Sequence, residues 1–190
     1  MHKYTDNTKG YCMNTADYLD KLLEKYSSAF DIYQPYVIHG KEYPAYGYFF
    51  SHTEKYVLVR EANMWSSDCY EHILFMKTDT VTEDLLKEAS DIVRDYMEPV
   101  LVRKGGEAPD PNHMYSYLTI AILSEKAVSG PLRKAIRKFK FEKGYKFNMR
   151  GFSQAHIICA SMEDETVLTN FAGRGSKKVF QHIFQEEKHI

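Results

Sequence analysis

Residues 46–78 read YGYFFSHTEKYVLVREANMWSSDCYEHILFMKT. β-Branched and aromatic residues crowd three runs, 46–52, 55–61 and 70–77. A polar turn at His52, Thr53 and Glu54 parts the first two, and a loop at residues 66–68 precedes the third. Runs of this composition between short polar breaks predict strands, and short links predict an antiparallel meander.

Helical periodicity flanks the meander. Upstream, Asn14 or Thr15 caps a stripe of Leu19, Leu22, Leu23, Tyr26 and Phe30, which is the spacing of one buried helix face. Pro35, Gly40 and Pro44 punctuate the connection to the strands. Downstream, Thr80 and Glu83 have capping-box spacing and open a helix that stops before Pro99. Residues 103–112, RKGGEAPDPN, form an exposed loop inside one domain.

The second half opens with an apolar strand at residues 114–123, then a short helix capped by Ser129 with Pro131 in its first turn. Phe139, Phe141, Tyr145, Phe147 and Met149 alternate with basic residues, which predicts a half-buried strand whose aromatics fill the core. Residues 155–162 form a central strand, residues 166–170 its hairpin partner, and a last helix buries Val179, Phe180, Ile183 and Phe184. The order α-βββ-α-β-α-βββ-α predicts an α+β fold: a single domain over residues 14–190 behind a flexible arm at 1–13. Its mixed, mostly antiparallel sheet has about six or seven strands and about four helices, within the usual range of sheet sizes.

Several stretches resemble a domain of unknown function found in Gram-positive bacteria. They are residues 53–58 (TEKYVL), Trp65, residues 113–117 (HMYSY), residues 141–152 (FEKGYKFNMRGF) and residues 167–170 (VLTN). Phe152 stands where that family would suggest Trp. The resemblance implies one compact bacterial domain and brings no activity, cofactor or catalytic residue with it.

Composition narrows the classes of function. With 44% hydrophobic and 27% charged residues, the chain has a globular rather than disordered composition. Cys12, Cys69 and Cys159 are far apart and odd in number, which argues for reduced thiols and against a disulfide framework or zinc finger. An N-terminal region without an apolar run, and the lack of any 18-residue apolar stretch, predict a cytoplasmic protein with no membrane span.

Charge is less even. Residues 126–150 hold nine Lys and Arg against Glu142 alone, a local charge of +8 in a chain of −1. Arg133, Lys134, Arg137, Lys138, Lys140, Lys146 and Arg150 are therefore candidate ligands for a polyanion, with a nucleic acid or an acidic protein as partner. The leading reading is a non-catalytic binding or regulatory module that needs no cofactor, and the 15 Tyr and 11 Phe leave room for a homodimer interface. The alternative is a metal-dependent nuclease or phosphate-handling enzyme of restriction-endonuclease-like topology, in which Glu61, Asp68 and Glu71 hold Mg²⁺ and Lys77 serves the water. Its acid-x-Lys signature fails, because Ile73 stands two residues after Glu71.

A second anion site is predicted where Gly175, Ser176 and Lys177 open the last helix, though the spacing is not that of a Walker loop. No histidine pair has metal-ligand spacing, and His72 and His156, inside apolar strands, read as hydrogen-bonded core residues.

Overall fold

The computed structural model describes residues 13–55 and 65–186. The predicted arm lies outside these residues except for Met13, which is buried. Helix α1, Thr15–Tyr26, starts where the Asn14 side chain accepts from the amides of Ala16 and Asp17. That cap satisfies two of the donors a helix start leaves open.

Three short strands follow where a plain connection was expected: β1 (Asp31–Tyr33), β2 (Tyr36–Ile38) and β3 (Lys41–Tyr43). The next two, β4 (Ala45–Lys55) and β5 (Trp65–Thr78), form one long hairpin. The polar residues at 52–54 and 66–68 are not breaks but paired rungs: His52 faces Asp68 and Thr53 faces Ser67 across the ladder. The His52 ring and the Asp68 carboxylate lie 2.5 Å apart, so a side-chain contact replaces the apolar packing a strand normally shows. The expected strand at 55–61 lies outside the described residues beyond Lys55, as does Glu61.

Helix α2, Glu83–Asp91, is capped by Thr82 rather than Thr80, through its hydroxyl and the Leu85 amide. It does not stop before Pro99. It runs on as a π-helix, Ile92–Val102, with Pro99 inside. A wider turn moves away the carbonyl that a proline ring meets in an α-helix, so the ring is accommodated. Strand β6 (His113–Ser124), helix α3 (Gly130–Lys138), and strands β7 (Glu142–Gly144), β8 (Phe152–Ser161) and β9 (Thr166–Thr169) follow. A 3₁₀ turn, Ala172–Ser176, leads into α4, Lys177–Glu186.

The molecule is a single α+β domain. Its seven-stranded mixed sheet has the order β1-β4-β5-β6-β8-β7, with β9 also on β8, and β2 and β3 form a separate pair. The outer pairings are antiparallel, but β5, β6 and β8 run parallel to one another. Parallel strands need crossovers, which α2 with the π-helix and then α3 provide. On one face Leu74, Ile120 and Ile157 pack against those crossovers and β2–β3. On the other, Phe75, Leu123 and Ile158 pack against α1 and α4. Both faces are covered, which is why these strands read as nearly continuous apolar runs.

Candidate functional site

The basic stretch divides into cations used inside the fold and cations left outside it. Arg133 donates to the Val128 carbonyl and meets Asp164 at 2.6 Å. Arg150 reaches the Pro109 carbonyl. Lys143 lies 3.0 Å from Glu98, a carboxylate only 3% exposed. Lys134, Arg137, Lys138, Lys140 and Lys146 are exposed and have no ion-pair partner among the described residues. Four of the seven predicted ligands, Arg133, Lys134, Arg137 and Lys138, sit on α3, where the only charges are basic; Arg133–Arg137 and Lys134–Lys138 are like-charge pairs one turn apart. Such pairs cost a few tenths of a kcal/mol each, about 0.2–0.5, offset in part by the favourable field at a helix C-terminus.

Beyond α3 the predicted strand fails after Gly144. Lys146, Phe147 and Asn148 have φ of 46°, 55° and 65°, and Gly151 follows at 69°. A run of left-handed residues ends a ladder. The turn is pinned from below: a Cβ on residue 151 would come within 2.0 Å of the Met114 carbonyl oxygen, so only glycine fits. Of the alternating aromatics, Tyr145 is buried, but Phe147 is 101% and Met149 78% exposed. Period-two spacing assigned both to the core, which the turn prevents.

Arg94, from the π-helix, was not legible as part of this surface. Its guanidinium lies 5.2 Å over the Phe141 ring, and with Lys140, Lys143 and Asn148 it lines a shallow shelf. Under the shelf, Glu98 accepts from Arg103 at 2.6 Å and from the Tyr145 hydroxyl at 3.0 Å. Burial alone would raise the Glu98 carboxyl; the bonds from Arg103, Lys143 and Tyr145 outweigh it and hold it below the usual range.

The two carboxylates of the alternative reading that lie within the described residues, Asp68 and Glu71, do not meet. Asp68 and Glu71 are three apart on β5 and point to opposite faces of the sheet. Burial raises the Glu71 carboxyl, to which the Thr119 hydroxyl donates at 2.9 Å. Lys77 lies near the far end of the strand. Among the described residues, no group of three or more His, Cys, Asp or Glu side chains is placed to hold a metal ion.

The loop at Gly175, Ser176 and Lys177 also differs from expectation. The chain is already helical before α4, and the Lys177 amide donates to the Arg174 carbonyl, so that amide is not open to an anion. Cys159 is fully buried and its thiol is pushed up to about 12 by burial. Cys69 is buried as well.

Sequence reasoning missed a cavity of about 190 Å³ between the start of β6, the middle of the β4–β5 hairpin and the end of the π-helix. His113 closes one side. Its Nδ1 lies 2.8 Å from the Arg150 carbonyl and its Nε2 2.8 Å from the Ser116 hydroxyl. Tyr70 stacks on it with ring centroids 5.8 Å apart, and Tyr145 meets it edge-on. His72, opposite, receives the Tyr46 hydroxyl on Nδ1 at 2.7 Å, while its Nε2 has no partner.

A family model described as a domain of unknown function (DUF8052) matches residues 14–182. No curated protein and no solved structure matches the chain.

Proposed function

Since the chain belongs to this family of domains of unknown function, we propose from its surface that it is a non-catalytic binding module for a single-stranded polyanion, a nucleic acid strand. One observation carries the reading: five exposed cations with no ion-pair partner among the described residues, Lys134, Arg137, Lys138, Lys140 and Lys146, belong to the same stretch of chain as a fully exposed aromatic ring, Phe147. Phosphates supply the charge such a surface lacks, and release of their counterions drives binding. A single strand also offers bases, and stacking on an exposed ring is worth about 1–3 kcal/mol per base. An acidic protein would use the cations and leave the ring without a role.

The test is fluorescence anisotropy with labelled single-stranded DNA and RNA pools, titrated from low to physiological salt. The comparison is with Arg137→Ala/Lys140→Ala/Lys146→Ala, which spares the Asp164-bound Arg133. The expected outcome is binding whose log–log salt slope falls by about one for each phosphate contact removed. Absence of binding at low salt, or a slope that the triple variant leaves unchanged, refutes the reading. Tight binding of poly-glutamate in place of the oligonucleotides reassigns the surface to an acidic protein.

A further inference from the structure

One cation at the basic surface is held in place, and it is not among the five named above. Arg94, exposed on the π-helix, donates from Nε to the Ser90 hydroxyl at 3.2 Å, and its guanidinium lies 5.2 Å over the Phe141 ring. Those two contacts orient the group and use one of its three nitrogens. The two terminal nitrogens meet no acceptor among the described residues. Glu98, four residues along the same helix, does not take them, because Arg103, Lys143 and Tyr145 already share its two oxygens. A planar guanidinium with both terminal nitrogens open is a two-pronged donor, the geometry that grips two oxygens of one anion at once.

The rest of the shelf is cationic as well. Phe139 and Phe141 are pinned, since the Phe139 carbonyl accepts from Asn170 Nδ2 at 3.1 Å and the Phe141 carbonyl from the Ala155 amide at 2.9 Å. Both rings pack against the core. Lys140, between two inward rings, projects outward, exposed and lining the shelf. Lys143 lines it from β7, bonded to Glu98 yet 42% exposed. Glu142 lines it too, so the lining holds three cations and one carboxylate. Asn148 brings the left-handed turn to the same recess, with its side-chain oxygen against Gly144, where a Cβ would come within 1.9 Å of it. The recess measures about 660 Å³, inside the roughly 300–1,000 Å³ of small-ligand sites. That is room for a nucleotide and not for a phosphate group alone.

We propose that the shelf binds the terminal phosphate of the strand, a phosphate monoester. This rests on the strand-binding reading above and gives the bound strand a fixed end. An internal phosphodiester has two unesterified oxygens; the Arg94 fork takes both, and the lysines are left without a role. A monoester has three such oxygens and carries about 1.5–2 negative charges at pH 7. Two of its oxygens lie on Arg94 and the third meets Lys140, while Lys143 adds charge from β7. A carboxylate fills the fork and, like the diester, leaves Lys140 unused. Binding involves no covalent step.

The experiment uses the full chain and one single-stranded oligonucleotide, labelled internally, with a 5′-phosphate, a 3′-phosphate or hydroxyls at both ends. The expected result is that one phosphorylated strand binds about tenfold more tightly than the hydroxyl-ended strand, the share of a charged hydrogen-bonded pair. Arg94→Lys keeps the charge, removes the fork and abolishes that preference, with the hydroxyl-ended strand affected by no more than about twofold. Lys134→Ala/Arg137→Ala, on α3 and outside the shelf, weakens all three strands alike. Equal affinity for the three strands overturns the inference and leaves the strand-binding reading standing. A preference that survives Arg94→Lys also overturns it, because the end then sits elsewhere. Phenyl phosphate, titrated alone and followed at the Arg94 Nε–H resonance, tells the two failures apart. A saturable shift without binding of any strand refutes the strand reading, and with it the strand terminus as the source of the phosphate. No shift and no strand binding overturns both.

Discussion

The three parallel strands change character at one height. In β5, Ser67-Asp68-Cys69-Tyr70-Glu71-His72 gives way to Ile73-Leu74-Phe75-Met76. In β6, His113-Met114-Tyr115-Ser116-Tyr117 gives way to a run of aliphatic residues, and in β8 Phe152-Ser153-Gln154-Ala155-His156 does the same. The pairing aligns these changes, with His72 opposite Leu118 and Thr119 opposite His156. The carboxyl halves are hydrocarbon on both faces of the sheet. The amino halves hold the unpartnered ring nitrogens of His72 and His156, the Tyr46–His72 and Ser116–His113 hydrogen bonds, and the cavity. Buried polar groups without partners cost stability, so one half of the sheet stabilises the domain and the other half draws on it. In open α/β sheets ligands usually sit beyond the carboxyl ends of strands; here the polar machinery gathers at the amino ends.

The most direct way to break this comparison is to remove one side chain from each half. Ile120 is fully buried at the centre of the aliphatic half. Ile120→Ala removes apolar contacts and leaves a void, with an expected cost of about 4 kcal/mol. Ser116→Ala in the polar half removes one neutral hydrogen bond and costs about 1 kcal/mol. Denaturant melts of the two variants report the difference directly, and equal losses mean that the two halves share the work of holding the fold.

Acid should separate the halves next. His72 and His156 are each lowered by burial to about 4, against 6.5 unfolded. Between those values the unfolded chain binds more protons than the folded one. Stability is therefore intact above pH 6.5 and is lost as pH falls towards 4, by up to about 3 kcal/mol for each histidine. His72→Phe removes its share of that limb, so the variant's melting temperature should depend less on pH between 6.5 and 4. Two carboxylates then act with opposite signs. Glu98, held low, contributes stability that is lost as pH falls below the ordinary carboxylate range. Glu71, raised by burial, relieves a penalty as it protonates. An acid limb with its midpoint below pH 4 in the wild type, unchanged in His72→Phe, would show that the histidines are not the groups that titrate.

How much of this was legible follows from the physics of each signal. The aliphatic half was easy: residues 114–123 and 155–162 differ from β6 and β8 by a few residues at their ends, since nothing but burial explains such runs. The helices α1, α3 and α4 declared themselves by apolar period, α1 also by its Asn14 cap, whereas Ser129 stands at the start of α3 without a side-chain cap hydrogen bond. The polar half was misread, because the rungs at His52–Asp68 and Thr53–Ser67 look like turns until a partner strand supplies their contacts. The π-helix was invisible for a similar reason, as local propensity ends a helix at Pro99 while packing on the sheet carries it through. Charge density located the basic surface, but not which cations it keeps. Lys143 and Lys146 are alike in sequence, and only the fold brings Glu98 to one of them. The cavity draws Tyr48, His72, Leu101 and His113 from four elements and has no linear trace.

Glu98 marks where the polar half joins the basic surface, and substituting it should have a smaller effect. Glu98→Gln keeps the shape and removes the charge that Arg103, Lys143 and Tyr145 share. Arg103 and Lys143 are 20% and 42% exposed, so water takes up part of the loss. The expected cost is about 2 kcal/mol, the range of a hydrogen bond to a charged group. The freed Lys143 would join the open cations of the shelf, so oligonucleotide binding at low salt should tighten even as the melting temperature falls. Weaker binding in this variant would mean that Glu98 shapes the surface rather than merely occupying one of its lysines.

The smallest effect on stability belongs to the most conspicuous residue. Phe147 is fully exposed on a turn of left-handed residues and packs on nothing in the core. Phe147→Ser should change stability by no more than about 0.5 kcal/mol, as other surface substitutions do. Its effect on single-stranded oligonucleotide affinity should be larger, a loss of about 1–3 kcal/mol if a base stacks on the ring. The salt slope should stay where it was, because no phosphate contact is removed. This pattern is the opposite of that expected for Lys146→Ala, which lowers the slope by about one. Should Phe147→Ser leave affinity untouched while Lys146→Ala lowers it, the surface binds by charge alone. An acidic protein then becomes the better partner for it.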